Sequence, residues 1–336
     1  MKGSFLPAFL FTLLCMALGV VYGLQSDKTL LTVMTLVVVL AIMEISLSFD
    51  NAVVNASVLD DMEERWRKIF LTWGILIAVF GMRLVFPIVI VAVTARLNPA
   101  DVMKMALHEP ESYASAISTS HVEVSSFGGM FLLLVFLSFF LNPDKRFHWI
   151  GQLEDRFASI GKLESVEIIV ALLVLLTMQS LLPAHDRLGA LTYGILGVVL
   201  FVVVDSLSSL LSPEVAKGFK RSGAMAFVYL EVLDASFSFD GVLGAFAITT
   251  DIVIIMLGLA IGAMFVRSLT VYLVEQETLE RYAFLEHGAH YAIGALAIIM
   301  LATVFLEVHE LITGLTGVFL IGLSLLSSIK HRQEVG

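Results

Sequence analysis

The chain has 336 residues, 58 % of them nonpolar and only 15 % charged, with a mean hydropathy of +0.94. Soluble domains run at about 45–50 % apolar and about 25 % charged, so this composition excludes a soluble globular enzyme and a disordered chain. One cysteine, Cys15, excludes an intramolecular disulfide and a Cys-based zinc or iron–sulfur site, and a net charge of −10 argues against a nucleic-acid binder.

Apolar and charged residues are segregated into blocks, and about 20 apolar residues suffice to cross a bilayer. Ten segments qualify: 5–24, 29–59, 69–95, 126–141, 166–183, 188–211, 223–249, 252–274, 289–305 and 311–329. The fourth is short and reads as starting earlier, near His121. With the N-terminus inside, fourteen Lys and Arg fall on inner segments and four (Lys28, Arg96, Lys104, Arg187) on outer ones. This is the positive-inside asymmetry, and it places both termini in the cytoplasm. The first span follows Lys2, but it is longer than a signal-peptide core and no A-x-A site follows, so it is read as retained. The polar stretch 96–125, with Asp101, His108, Glu109, Glu111, His121 and Glu123, reads as an outer loop of solvated charges or as an acidic vestibule. The mixed-charge stretch 142–164 reads as a connection. The chain divides into a first half (1–165), linking helices (166–222) and a second half (223–336) within one membrane domain.

The second and seventh spans repeat a motif. Glu44-Ile-Ser-Leu-Ser48-Phe-Asp50-Asn51 aligns with Asp234-Ala-Ser-Phe-Ser238-Phe-Asp240-Gly241. The spans that follow match as well, each placing an Arg nine residues after a Gly: Gly74…Arg83 and Gly258…Arg267. A weaker match sets His121 and Gly128 beside His287 and Gly294. An odd number of steps separates the second and seventh spans, so the copies lie in opposite orientation. The predicted fold is therefore an all-α polytopic membrane protein of about ten transmembrane helices, with the inverted-repeat architecture of secondary transporters.

Glu44, Asp50, Glu231, Asp234, Asp240, Arg83 and Arg267 fall in the middle of their spans. Each costs at least about 2.5–3.5 kcal/mol at bilayer depth, so they must pair, line water or hold an ion. At 100° per residue, Glu44, Ser48, Asn51 and Asn55 form one stripe and Asp50 points elsewhere. In the second copy Glu231, Asp234 and Ser238 share a face and Asp240 does not. Local breaks at Ser46–Asp50 and Ser236–Asp240 would bring the carboxylates together. The predicted cation site has Glu44, Asp50, Asn51, Asp234 and Asp240 as ligands, with Ser48, Glu231 and Ser238 as further ligands and Arg83 and Arg267 as ion-pair or gating residues. The opposing reading makes the carboxylates structural partners of the two arginines. An all-oxygen site suits Mn²⁺, Ca²⁺ or Mg²⁺.

Weaker candidates are Asp205 as a proton relay, the cluster Glu286, His287 and His290 as a second metal or proton site, and Glu307, His309 and Glu310 in an outer turn. No phosphate-binding loop, HExxH or GxSxG motif is present, so the chain is not read as an enzyme and no resident cofactor is expected.

The motif Glu44-x-x-Leu-Ser-x-Asp50-Asn51, its counterpart Glu231-x-x-Asp234-x-x-x-x-x-Asp240, the pair Met82-Arg83 with Pro87, and Gly128-Gly129 resemble the TerC family of integral membrane proteins. That family is related to the LysE exporter superfamily. The resemblance implies a prokaryotic cytoplasmic-membrane location, Mn²⁺ efflux, a looser link to tellurite resistance, and Glu44, Asp50, Asn51, Asp234 and Asp240 as metal-site residues. Two departures stand out: Gly241 replaces a family Ser, and the chain carries extra spans and a long outer loop. The expected function is a secondary transporter exporting a divalent cation, Mn²⁺ first, by proton exchange. The alternative is a non-transporting membrane scaffold or sensor in tellurite or envelope stress. The metal cation, protons and the bilayer are the expected partners, and nucleic acid is not.

Overall fold

The computed structural model describes residues 5–335 except 27, 61, 75–76, 144, 146–147, 152–153, 155, 159–160, 162–164, 212–222, 277, 307 and 309. Among the described residues the chain is helical, with no strand. In chain order the helices are α1 (Leu6–Gln25), α2 (Leu30–Leu47), α3 (Phe49–Asp60), α4 (Glu64–Thr72), α5 (Ile77–Val85), α6 (Phe86–Thr94), α7 (Pro99–His108) and α8 (Pro110–Thr119). They continue as α9 (His121–Phe140), α10 (Val166–Leu181), α11 (Arg187–Leu211), α12 (Gly223–Ile248), α13 (Ile252–Glu275), α14 (Thr278–Arg281), α15 (Leu285–Thr303) and α16 (Glu310–Val335). Among the described residues seven are long and apolar enough to cross a membrane, and the bent pair formed by α5–α6 with α7 would make eight. The protein is a multi-pass membrane protein. Helix starts follow local chemistry. Thr29 accepts from the Thr32 amide at 3.2 Å, Asn98 from Ala100 at 2.9 Å, and Asp251 from Val253 and Ile254, each satisfying donors that a first turn leaves unpaired.

The second expected span is broken at Ser48, between α2 and α3, within the stretch where a break was predicted. The third is broken too, for a different reason. Its middle, α5, is wound as a π-helix, and Pro87 four residues after Arg83 cannot donate to the Arg83 carbonyl. The matching break in the second copy does not occur, because α12 runs unbroken through Ser236–Asp240. Ser236 turns its hydroxyl back onto its own helix, at 2.9 Å from the Val232 carbonyl. Its counterpart Ser46 does the same onto the Ile42 carbonyl at 2.8 Å, so the copies differ at the next serine: Ser48 donates to the Glu44 carboxylate at 3.0 Å, whereas Ser238 has no hydrogen-bond partner among the described residues.

The stretch 96–125 is not an open loop. It folds into α7, α8 and the start of α9, which begins at His121, and buries Val102, Ala106, Tyr113 and Ile117 against the bundle. The stretch 142–164 is more than a connection. Its Glu154 is wholly buried, at 2.6 Å from the Tyr291 hydroxyl and 3.3 Å from Lys145 Nζ. Lys2 and the basic residues of 212–222 lie outside the described residues.

Among the described residues three apolar clusters form, two of them large and a small third joining Ala8 to Ala260, Ala263 and Met264. Of the large ones, one centres on α9 and gathers α10, α11, α12 and α15. The other joins α1, α2, α6, α7, α8 and α13. Close approaches at glycines fix how neighbouring helices run. A Cβ at Gly258 would strike Leu40 and one at Gly262 would strike Glu44, with the Val37 and Ala41 carbonyls at 3.1 and 3.0 Å. Helices α2 and α13 therefore run parallel, meeting at a Gly-x-x-x-Gly face. Gly129 abuts Leu301 and Gly294 abuts Phe136, so α9 and α15 run antiparallel. Gly189 approaches Glu123 and Gly197 the Phe127 carbonyl, so α9 and α11 run parallel. Helix α2 packs on α13 and α12 packs on α5, which interlocks the two halves.

Candidate ion-binding site

The break at Ser48, together with α3, α5, α12 and α13, encloses a small polar cavity. Its lining comprises Ser48, Asn51, Asn55, Arg83, Asp234 and Arg267, with Thr270 and the apolar Ala263 and Val266. The space open to the centre of a water-sized sphere is about 20 Å³, enough for one water or one ion. Ser48, Asn51 and Asn55 reach it because positions i, i+3 and i+7 share one helical face.

The two halves meet here. Asn55 Nδ2 donates to Asp234 Oδ1 at 2.9 Å, across 179 residues of sequence. Arg83 is paired with Glu44 Oε1, the same oxygen that accepts from Ser48. Both side chains of this pair are buried, at 7 % and 1 % exposure. Gly241 lies over the other carboxylate oxygen, where a Cβ would stand 2.8 Å from Glu44 Oε2. Gly241 is thus the residue that leaves the Glu44 carboxylate room. Arg267 donates to the Phe70 carbonyl and lies 3.7 Å over the Phe70 ring centroid. A Cβ on Gly74 would come 2.8 Å from Arg267 Nη2 and 3.4 Å from Glu231 Oε1, so Glu231 sits beside that guanidinium.

Among the described residues, Asn51 Oδ1, Asn55 Oδ1, Ser238 Oγ and both Glu231 carboxylate oxygens are buried with no hydrogen-bond partner. Unpaired buried oxygens are costly unless something satisfies them, and oxygens are what a hard cation takes.

Of the predicted ligands, Asn51 and Asp234 line the cavity and Glu44 touches it through Ser48 and Arg83. Asp50 does not join them. It stays on the opposite face of α3, where a Cβ on Gly317 of α16 would fall 2.5 Å from its Oδ2, and its Oδ1 accepts from the Asn51 amide at 3.0 Å. The break at Ser48 leaves the two faces of the stripe as an unbroken helix would place them. Helix α12 carries Asp240, whose side chain lies outside the described residues. Among the described residues no three His, Cys, Asp or Glu converge as a metal cluster. Asn55 and Thr270 were missing from the predicted ligand set. The i, i+4 step from Asn51 pointed to Asn55, whereas nothing in the sequence pointed to Thr270.

The weaker candidates separate. Glu286 is exposed while His287 and His290 are buried. His290 stacks on Phe139 with centroids 3.8 Å apart, and His287 Nε2 lies 3.8 Å from Glu154 Oε2. Burial alone would raise the Glu154 pKa, but the Tyr291 hydroxyl, Lys145, the Ile150 amide and His287 hold it below the ordinary carboxylate value. Asp205 is exposed near the end of α11. Glu307, His309 and the Glu310 side chain lie outside the described residues.

A family model described as "Protein of unknown function (DUF475)" matches residues 49–334, and the chain belongs to that family. No curated protein and no solved structure matches the chain.

Proposed function

We propose that this DUF475-family protein is a secondary transporter that exports a divalent cation, Mn²⁺ first, across the cytoplasmic membrane of a prokaryote, in exchange for protons. One observation carries the reading. The two acidic motifs, far apart in sequence, meet at a buried cavity lined by Asp234 and by amide oxygens of Asn51 and Asn55 that have no partner among the described residues. Neutral and anionic oxygens in a protein-lined hollow are the donor set for Mn²⁺, Mg²⁺ or Ca²⁺. Asp234 lines it, and Glu44 stands behind Ser48 and Arg83. Carboxylates in an apolar setting alternate between proton and metal, which is the chemistry an exchanger needs. Exporting a divalent cation against a negative-inside potential costs about 4.6 kcal/mol per 100 mV, so coupling is required.

The helix directions support the ten-span inverted-repeat architecture. Spans two and eight (α2 and α13) and spans four and six (α9 and α11) run parallel, while spans four and nine (α9 and α15) run antiparallel, as their order in a ten-span chain demands. The acidic helix of each copy packs on the arginine-bearing helix of the other (α2 on α13, α12 on α5), the exchange expected of a pseudo-two-fold pair. The TerC resemblance points the same way.

The Glu44–Arg83 pair favours a second reading, a non-transporting scaffold in which the carboxylates only neutralise arginines. The test is Mn²⁺ entry into liposomes that hold a Mn²⁺-quenched dye. Wild type should quench, and Asp234→Asn should not. No quenching by folded wild-type protein would overturn the transporter reading in favour of the scaffold.

A further inference from the structure

We infer that Arg83 is a tethered counter-cation that takes turns with the transported ion on the Glu44 carboxylate. The inference rests on the cation-site reading above. Arg83 is already where a cation would bind, paired with Glu44 and lining the cavity with Ser48, Asn51, Asn55 and Asp234. Two cations on one buried carboxylate repel strongly where water is excluded, so an ion on Glu44 competes with the guanidinium. Removing Arg83 without a replacement would leave Glu44 charged, buried and uncompensated, so an exchange of one cation for another is the inexpensive route.

The means of withdrawal is present. On the α12 side Gly241 packs against Glu44 Oε2 without a side chain of its own, so no Cβ crowds that oxygen. Arg83 itself lies on the π-wound segment Ile77–Val85, a rare winding that differs from an α-helix by one residue in a turn. Rewinding one such turn re-aims the side chains beyond it by about 100°, enough to carry a guanidinium off its carboxylate. Pro87 keeps the alternative open, since it has no amide to close an α-helical bond onto the Arg83 carbonyl. The other arginine is held differently, through the Phe70 carbonyl and ring, and so is a fixed charge.

The experiment is Mn²⁺ binding to purified protein in detergent, read by loss of the free-ion electron paramagnetic resonance signal. Arg83→Ala should bind Mn²⁺ about tenfold tighter than wild type, as one competing buried charge is removed. Millimolar guanidinium should refill the place of the lost side chain and return the affinity to the wild-type value. Where Arg83→Ala folds only with guanidinium present, apparent Mn²⁺ affinity should fall as guanidinium rises. Arg83→Ala combined with Glu44→Gln should show no tightening. Wild type binding Mn²⁺ with Arg83→Ala binding no tighter, or a flat guanidinium dependence, overturns this inference and leaves the cation site standing. No Mn²⁺ binding by any folded form overturns both.

Discussion

Gly262→Ala tests the contact that joins the two halves beside the cavity. Two of the three atoms nearest a Cβ at this position are Glu44 Cβ and Cγ, and the third is the Ala41 carbonyl oxygen at 3.0 Å. None is the free end of a flexible chain, so α2 and α13 have to move apart. Overpacking of this kind costs about 1–3 kcal/mol. Alanine is the better helix former by about 1 kcal/mol, which offsets part of that cost. With a Cβ only 2.4 Å from Glu44 Cβ the upper half of the overpacking range applies, so the expected net loss is about 1–2 kcal/mol, a few degrees in melting midpoint for a chain of this size. Gly322→Ala in α16 makes the same chemical change where nothing lies within 4 Å of the new methyl, and it should raise the midpoint. The assay uses Cys15, the chain's single cysteine, which is 3 % exposed and packs in the same apolar core as Val37, Leu40 and Ala41. A thiol-reactive fluorogenic dye therefore reports the opening of this interface during a thermal ramp in detergent. A Gly262→Ala protein that melts at or above the wild-type midpoint would refute the close packing of α2 on α13, whatever Gly322→Ala does.

Three further outcomes follow from named contacts. Asn55→Ala removes the donor to Asp234 and should cost about 1–3 kcal/mol in the same melt, whereas Ser57→Ala, two residues on and bonded only to its own helix, should change little; equal effects would dissociate the Asn55–Asp234 bond from stability. Glu154→Gln leaves Lys145, whose side chain is 4 % exposed, without its anion and should cost about 3–5 kcal/mol, while Glu154→Leu with Lys145→Leu should lose much less; additive losses would show that the pair is not coupled. Asp251 is partly buried, which alone would raise its pKa, but Lys28 at 2.7 Å, the Tyr22 hydroxyl and the Ile254 amide hold it below the ordinary value. A depressed carboxylate stabilises above its unfolded pKa of about 3.9 and loses that contribution as pH falls through its folded value. Asp251→Ala should therefore cost about 0.5–2 kcal/mol at pH 7, and its midpoint should converge on that of wild type below about pH 4; a gap independent of pH would remove the charge from the explanation.

Much of the architecture is written in the periodicity of the chain. Among the described residues every predicted span became largely helical, since backbone groups in hydrocarbon have no partner but their own helix. The break at Ser48 was legible because serine competes for backbone and carboxylate partners beside Glu44. The identical serine spacing in α12 gave an unbroken helix: Ser236, like Ser46, bonds its own helix, and Ser238, the counterpart of Ser48, has no hydrogen-bond partner among the described residues. Helices α7 and α8 were missed because each is only ten residues long, far short of a span, and only packing against the bundle stabilises so short a helix.

The site divides along the same line. The spacing of Ser48, Asn51 and Asn55 put them on one face by helical geometry alone, and it set Asp50 on another, where the structure keeps it. What a helical wheel cannot contain is which distant helix that face meets. The meeting of Asn55 with Asp234, the pairing of Arg83 with Glu44 and the use of Gly241 to clear the Glu44 carboxylate depend on contacts between segments 39 to 197 residues apart. Local sequence sets the period and the polarity of each helix. Tertiary packing, through glycines that let backbones touch, chooses which polar faces share a cavity.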